Sequence, residues 1–377
     1  MGLNLSCALT IATAYGAYKL VRLCYADADL DLLSKGKVPK NSFQDKVIWI
    51  TGASQGLGRM MALYLAQQGA FLILSSRSKE KLMRVKKECL VSDDRVTIVP
   101  FDICGSDEEL QTAVDSAVSS FGGRNIDILI HMAGASQHSI AADTSPQVSR
   151  SLLDLNGLAP IRLTRLVLPY LLQPLPSIPA PSSTSPIPNP SSQPASSRIV
   201  FIGSMAAKVP SPGQSSYSAA KMAAYGYFAT LASELADSPV KITIVLPGPV
   251  ASPEASRTVY GNDGLKEIPV DPAAKGRLPL DRAVQHIAAA IAHGVDEAWI
   301  SKHPVLAMAY VQQYAPSLAM RILKRIGPKR ARALQEGRSG YDPNALLRGK
   351  EKEERKGTEG EKIEVSENEE RQGKEWK

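Results

Sequence analysis

With 377 residues, 44% of them hydrophobic, the chain can bury the core of one large α/β domain or two ordinary ones. Its formal net charge of +7 is unevenly spread, with a basic cluster after residue 320 and a mixed-charge tail; without a zinc-finger, basic-helix or RNA-binding pattern, that total gives no ground for nucleic-acid binding. The four cysteines, Cys7, Cys24, Cys89 and Cys104, have neither metal-ligand spacing nor the density of a disulfide scaffold, and suggest a reducing compartment.

Leu3 to Tyr18 is apolar apart from Asn4, Ser6 and two threonines, and as a helix it spans about 24 Å, short of a bilayer core of about 30 Å. Continuing to Cys24, with Lys19 and Arg22 snorkelling, closes the gap, so residues 1–24 read as an uncleaved membrane anchor and 25–44 as a linker. A cleaved signal peptide is the rival, since Ala26-Asp27-Ala28 resembles a cleavage site, but no basic residue precedes the apolar run; a buried or amphipathic helix is the third reading. Lys19 and Arg22 favour the rest of the chain on the cytoplasmic side.

From Asp45 the pattern changes. Val47 to Ile50 is a buried strand, Thr51-Gly52-Ala53-Ser54-Gln55-Gly56-Leu57-Gly58 a glycine-rich turn, and Met60 to Gln68 a helical run. Such a turn lets backbone approach a pyrophosphate, while the helix amino terminus offers N–H groups and positive dipole. A second strand, Phe71 to Leu74, ends in Ser75-Ser76-Arg77-Ser78. The adenine ribose of a dinucleotide is read at this strand end, by a carboxylate for NAD or an arginine for NADP. Arg77 and Ser78 are here, with no acid before Glu80, so NADP is expected.

The alternation continues through a helix near Lys79 to Cys89, a strand at Val96 to Val99, a helix near Glu108 to Phe121 and a strand at Ile126 to His131. Repeated strand-helix units predict a Rossmann-type, three-layer α/β/α fold whose doubly wound parallel sheet is covered on both faces. Asp102 and Ile103 follow the third strand and Ala133 and Gly134 the fourth, at ends that border the nucleotide crevice of an open α/β sheet. In the helical stretch Gln147 to Leu172, Asn156 beside Gly157 reads as a solvated residue or a kink. Of the 24 residues from Pro174 to Ser197, 16 are proline or serine, which predicts a disordered surface insert.

Ile199 to Ile202 is the next strand; it runs into Gly203-Ser204 and crosses a Pro/Gly loop to a helix starting near Tyr217. Tyr217 and Lys221 are four residues apart, on one helix face, where an ammonium beside a phenol favours the phenolate and suits the tyrosine to acid/base work. Ser204, thirteen residues before Tyr217, sits at the strand end where its hydroxyl could meet a carbonyl. Alone, the spacing also fits a surface tyrosine beside a solvated lysine; the dinucleotide pattern before it gives it weight. Lys241 to Leu246 is a sixth strand ending in Pro247-Gly248, and Ala251 to Gly276 has little periodicity and suits a substrate lid. Asp281 to His293 is helical and Ala298 to Ile300 is the last strand. Pro304 to Ile326 is an apolar helical stretch joined by Arg321, Lys324, Arg325, Lys329, Arg330 and Arg332, which suits an anionic membrane surface; packing on the domain or in a homodimer is the alternative. From Lys350 onward 18 of 28 residues are charged, and a disordered tail is expected.

Over roughly Lys46 to Ser301 these residues resemble the short-chain dehydrogenase/reductase family: Thr51-Gly-x-x-x-Gly-x-Gly58, Asp102, Ala133-Gly134, Asn156, Ser204, Tyr217-x-x-x-Lys221 and Pro247-Gly248-Pro249-Val250. Glu297 to Gly327 and Lys208 to Gln214 are similar to one branch of it. The resemblance implies cofactor contact by Thr51, Gly52, Ser54 to Gly58, Arg77, Ser78, Asp102, Ile103, Ala133, Gly134, Tyr217, Lys221, Pro247, Gly248, Val250 and Ser252. It also implies that Tyr217 exchanges a proton with the substrate oxygen, Lys221 tunes Tyr217 and binds the nicotinamide ribose, Ser204 orients the carbonyl, and Asn156 holds a water in a proton relay. Two departures stand out. His131-Met132 replaces the family's Asn-Asn, removing polar groups that tie central strands, and Gln55 stands where many NADP-dependent members have a basic residue. The reading is a membrane-associated, NADP(H)-dependent oxidoreductase of a lipophilic ketone or aldehyde (steroid-, retinoid- or lipid-like), at the endoplasmic reticulum with its catalytic domain cytosolic. The alternatives are a lipid ketoreductase of the 3-ketosphinganine type and a non-catalytic nucleotide-binding scaffold.

Overall fold

The computed structural model describes residues 24–172, 197–251, 256–269 and 276–335, together with Thr13, Gly16 and Val21. The expected anchor at residues 1–24, most of the Pro/Ser insert, Ser252 and the charged tail therefore lie outside the described residues, save those few. No helix among the described residues is long and apolar enough to cross a membrane.

Strand β1 (Val47–Thr51) is buried along its whole length, the continuous apolar run of a strand covered on both faces. Its alternate residues feed two cores: Ile48 and Ile50 pack with Met61, Leu65 and Ile287, and Val47 and Trp49 with Val114, Leu163 and Phe228. Around it lie β2 (Phe71–Ser75), β3 (Val96–Ile98), β4 (Ile128–His131), β5 (Ser197–Ile202), β6 (Val240–Pro247) and β9 (Glu297–Ile300). They form one parallel seven-stranded sheet in the order β3-β2-β1-β4-β5-β6-β9. Strand addition reverses between β1 and β4, which opens a crevice at the carboxyl edge. Register brings Thr51 level with Ser75 and His131, and His131 level with Phe201. The expected doubly wound α/β sheet is present.

Four details differ from expectation. The helical stretch Gln147–Leu172 is two helices, Pro146–Leu153 and Ala159–Leu172, joined by a π turn at Asp154–Leu158 that turns Asn156 fully inward. Its side chain is the reason: Asn156 Nδ2 donates to the Ala135 carbonyl at 3.0 Å, and a regular α turn would aim it elsewhere. The expected lid contains an antiparallel hairpin, β7 (Ser256–Tyr260) and β8 (Leu265–Pro269), held to the domain by His138 N–H on the Tyr260 carbonyl and Tyr260 N–H on the Ser136 carbonyl. The apolar-basic extension is a helix pair, Val305–Tyr314 and Pro316–Gln335, packed on the domain. Ala319, Leu323, Arg330 and Ala333 of the second helix are buried, so Arg330 does not belong to the exposed basic face formed by Arg321, Lys324, Arg325, Lys329 and Arg332.

The fourth concerns 25–44, expected as a linker. Ala28, Leu32 and Phe43 are buried, and a short helix, Leu30–Lys35, lies by β9. Asp29 caps that helix, donates its N–H to the Trp299 carbonyl at 2.8 Å and takes the Trp299 N–H on its carboxylate at 2.6 Å. Asp27 meets Arg282 Nε and His286 Nε2, both at 2.8 Å, on the helix Leu280–His293. Burial pushes the Asp27 carboxyl up, but the hydrogen bonds and charges of His286 and Arg282 outweigh it and hold the group below its ordinary 3.8. A carboxylate depressed in the folded state contributes stability that is complete above the ordinary value and lost as pH falls through the folded one. Asp27→Asn should therefore lower the unfolding free energy at pH 7 by about 1–2 kcal/mol. In urea titrations the gap from wild type should hold steady above about pH 4 and close below it; equal midpoints at pH 7 would contradict this clasp.

Candidate functional site

The glycine turn follows β1 directly. Gly52 has φ +69°, and a Cβ there would lie 2.7 Å from both the N and Cα of Ala133, so only glycine lets the β1 turn touch the end of β4. Thr51 fastens the same junction: its hydroxyl donates to the Ile130 carbonyl at 3.4 Å and accepts from the N–H groups of Met132 and Ala133 at 3.2 and 3.4 Å. The helix Gly56–Gln67 starts at the carboxyl end of this junction, so Ser54, Gln55, Gly56, Leu57 and Gly58 surround its amino terminus. The tie expected to be lost with the family's Asn-Asn is replaced in part by His131, whose Nε2 meets the Thr164 hydroxyl at 2.8 Å. Burial, then the Lys221 charge, push this imidazole down to about 3, so it is neutral at any working pH.

At the end of β2, Arg77 is exposed, and Ser78 caps the helix Lys79–Glu88 by accepting the Lys81 N–H. Lys81 Nζ reaches the Gln55 side-chain oxygen at 3.5 Å. A second cation therefore stands beside the position where sequence reading found none. Beyond β3, the Asp102 carboxylate accepts the Cys104 N–H at 2.9 Å and Ile103 is buried beneath it.

The helix Ser215–Glu234 carries Tyr217 and Lys221 one turn apart. Its start is fixed by Gln137, a fully buried side chain whose Oε1 accepts the Tyr217 N–H at 3.0 Å and whose Nε2 donates to Ser139 and Thr144. Lys221 is buried, donates to the Ile202 carbonyl at 3.1 Å and lies 5.3 Å from the Phe201 ring centre; burial brings its ammonium down to about 8. Gly134 lies between this ammonium and the π turn. A Cβ on it would fall 2.7 Å from Asn156 Oδ1, so any larger residue would displace that side chain, and 3.5 Å from Lys221 Nζ, in ordinary contact. Ser204, at the end of β5, accepts the Ala206 N–H on its hydroxyl at 3.1 Å, which fixes the oxygen by a short 3-10 turn.

Ser204 and Tyr217 line one cavity of about 280 Å3, with Gly248, Pro249 and Val250 on one side and Val305, Met308, Leu323 and Ile326 of the carboxy-terminal helix pair on another. Pro247 ends β6, and the Gly248 N–H donates to the Ile300 carbonyl. The structure thus places Ser204 and Tyr217 on the cavity, Lys221 and Asn156 about Gly134, and Arg77 and Asp102 on separate strand ends. Sequence reading missed Lys81, Gln137, Gln214, Arg277 and Arg330. The last three line the cavity; Gln214 closes the stretch Lys208 to Gln214 and Arg330 belongs to the basic cluster, but neither signal marks a cavity residue, and Arg277 falls in no motif.

Comparison with known proteins gives the family and the fold. The human and mouse proteins named dehydrogenase/reductase SDR family member 7 are 31% and 30% identical to the chain over 335 and 334 residues, covering 87% and 86% of it and 91% of each relative. Two solved structures share the fold. A short-chain dehydrogenase from Burkholderia cenocepacia in complex with NADP has a TM-score of 0.56 at 23% identity, covering 74% of this chain and 98% of its own. One from Streptomyces avermitilis has 0.57 at 21%, covering 76% and 98%. Residues 46–261 match the family model for short chain dehydrogenases, and the chain belongs to the short-chain dehydrogenase/reductase family, a family of oxidoreductases.

Proposed function

We propose that the protein interconverts a lipophilic ketone or aldehyde and its alcohol with NADP(H) as cofactor, at a membrane surface. The observation that carries the reading is the seating of Gly134 between Asn156 and Lys221, one helical turn from Tyr217 on the cavity wall. The residues present suit a nicotinamide dinucleotide. The helix amino terminus at Gly56 takes the pyrophosphate, and Arg77, with Lys81 nearby, takes the 2′-phosphate. When bound, the cofactor supplies or accepts hydride at carbon. Tyr217 moves the proton at the substrate oxygen, and Ser204, its hydroxyl already fixed by Ala206, donates to that oxygen and orients it. Lys221 sits one turn from Tyr217 as a buried cation and steadies the phenolate form, while Asn156 holds the segment after β4 that carries Gly134, its Oδ1 accepting the Ala135 N–H and its Nδ2 donating to the Ala135 carbonyl.

The membrane part of the reading rests on where apolar surface emerges. Leu30 N–H donates to the Tyr310 hydroxyl, so the segment leaving residues 1–24 is held against the first helix of the carboxy-terminal pair. Beyond it Tyr314 is exposed at the end of that helix, and on the second helix Leu318 and Met320 are exposed with Arg321, Lys324, Arg325 and Lys329, the composition of an interfacial helix on anionic lipid. The cavity beneath is walled mainly by apolar side chains, which suits a lipophilic substrate.

Tyr217→Phe should reduce NADPH-dependent turnover of a lipophilic ketone panel by about a thousandfold or more while NADPH binding, followed by fluorescence, stays within a few-fold. Near-normal turnover would sink the assignment. Removing residues 1–24 should make the protein extractable by alkaline carbonate yet leave salt-sensitive binding to vesicles containing anionic lipid. Neutralising Arg321, Lys324, Arg325 and Lys329 in that form should abolish the vesicle binding. Carbonate resistance after the deletion would contradict the anchor, and binding indifferent to salt would contradict the basic face.

A further inference from the structure

Strand β5 ends at Ile202, the Gly203 N–H donates to the Val245 carbonyl at 2.8 Å, and from Ser204 the chain leaves the sheet. It leaves through a 3-10 turn of three residues, Met205–Ala207, closed by the Ala207 N–H on the Ser204 carbonyl and by the Lys208 and Val209 N–H groups on the Met205 carbonyl. So short a turn has poor hydrogen-bond geometry and needs support from outside. Ser204, Met205, Ala206, Val209, Pro210 and Ser211 line the cavity, and Lys208 does not. Lys208 is the only charged residue between Gly203 and Gln214. Its Nζ donates to the Tyr225 hydroxyl at 2.7 Å and meets Glu297 Oε1 at 3.0 Å, while the Tyr225 hydroxyl donates to Glu297 Oε2 at 2.7 Å, which closes a ring of three side chains.

Each partner of Lys208 belongs to a wall of the site. Tyr225 follows Tyr217 and Lys221 at the same four-residue spacing, on one face of the helix Ser215–Glu234. Glu297 opens β9; its Oε1 also accepts the Trp299 indole N–H, and the Tyr310 ring of the carboxy-terminal helix pair packs on Trp299 with centres 5.2 Å apart. The Lys208 and Glu297 side chains are only 17% and 27% exposed, so their attraction is screened less than that of a surface pair, and both charges are hydrogen-bonded. We propose that Lys208 is a positioning residue: held by Tyr225 and Glu297, it fixes the Met205–Ala207 turn and so sets the Ser204 hydroxyl against Tyr217 for one shared substrate oxygen. The inference rests on reading this cavity as the substrate site. Two groups that must meet one oxygen tolerate little error, since a misplacement of about 1 Å can cost about a hundredfold in rate.

Two measurements on the full chain separate the inference from the reading beneath it. The first, amide hydrogen exchange, needs no substrate. Lys208→Met should speed exchange in the segment 204–211 about tenfold, the scale of one charge-assisted bond, and leave β5 and the helix Ser215–Glu234 unchanged. Lys208→Arg, which can still pair with Glu297, should change it by less than about threefold. An unchanged segment, or a rise shared by the whole sheet, would overturn the proposal. In the second, NADPH-dependent reduction of the ketone panel, Lys208→Met should lower kcat about tenfold with NADPH binding within about twofold, and Lys208→Arg should keep most of the rate. With Ser204→Ala already in place, the same Lys208→Met change should cost less than about twofold, because the group it positions is gone. An equal fall in both backgrounds is the mark of a merely structural lysine and would overturn the proposal. A local rise in exchange in a protein that reduces no ketone would remove the reductase reading and leave the brace standing; an active enzyme whose exchange does not respond would do the reverse.

Discussion

Burying the Lys221 ammonium costs free energy unless polar groups meet it, and the centre of this molecule is arranged around meeting it. The carbonyl at the end of β5 accepts one of its protons, and the Phe201 ring offers its π face on another side. The end of β4 must then pass close by, which Gly134 permits, and the π turn at Asp154–Leu158 closes the space from the far side with Asn156. Thr51 and Gly52 hold the β1 turn against the same strand end. A single desolvated cation thus links the crevice of the sheet, the π turn and the helix that bears Tyr217.

The second constraint is closure. The Rossmann-type sheet leaves its carboxyl edge open, and the helix pair Val305–Tyr314 and Pro316–Gln335 supplies the missing wall of the cavity. That pair is in turn braced by the segment from Asp27 to Lys35, through Leu30 on Tyr310 and Asp29 on Trp299. The sheet edge therefore contributes Ser204 to the cavity, and the helix pair contributes Val305, Met308, Leu323 and Ile326 to its wall. A change near Asp27 should be felt at the cavity by this route.

Much of this was legible in the sequence because strand and helix periods, glycine turns and strand-end residues are local signals. Val47–Thr51, the glycine turn and the pairing of Tyr217 with Lys221 on one helix face needed no tertiary information. What escaped depends on distant partners. Asn156 reads from its helix alone as a solvated residue or a kink; the π turn is that kink, but its burial depends on the Ala135 backbone, 21 residues away. Arg330 read as one of six surface cations because its neighbours in sequence are basic, and only the approach of Gln214 distinguishes it. His131 read as the loss of a strand tie, since Thr164 lies on another element. The hairpin at Ser256–Pro269 gave little sign of itself, and its cross-strand pairing is what defines it.

On the proposed function, Lys221 would meet the cofactor as a buried cation. Burial brings its ammonium down to about 8, so above that pH binding a ribose hydroxyl as a cation would require the lysine to take up a proton. The most direct measurement is the dissociation constant of NADPH between pH 6.5 and 10 at fixed ionic strength, by fluorescence, for the wild type and for Lys221→Met. The wild-type constant should be level below about pH 8 and rise toward tenfold per pH unit above it, with proton uptake on binding, while Lys221→Met binds weakly and without that slope. A wild-type constant that stays level to pH 10 would contradict the account.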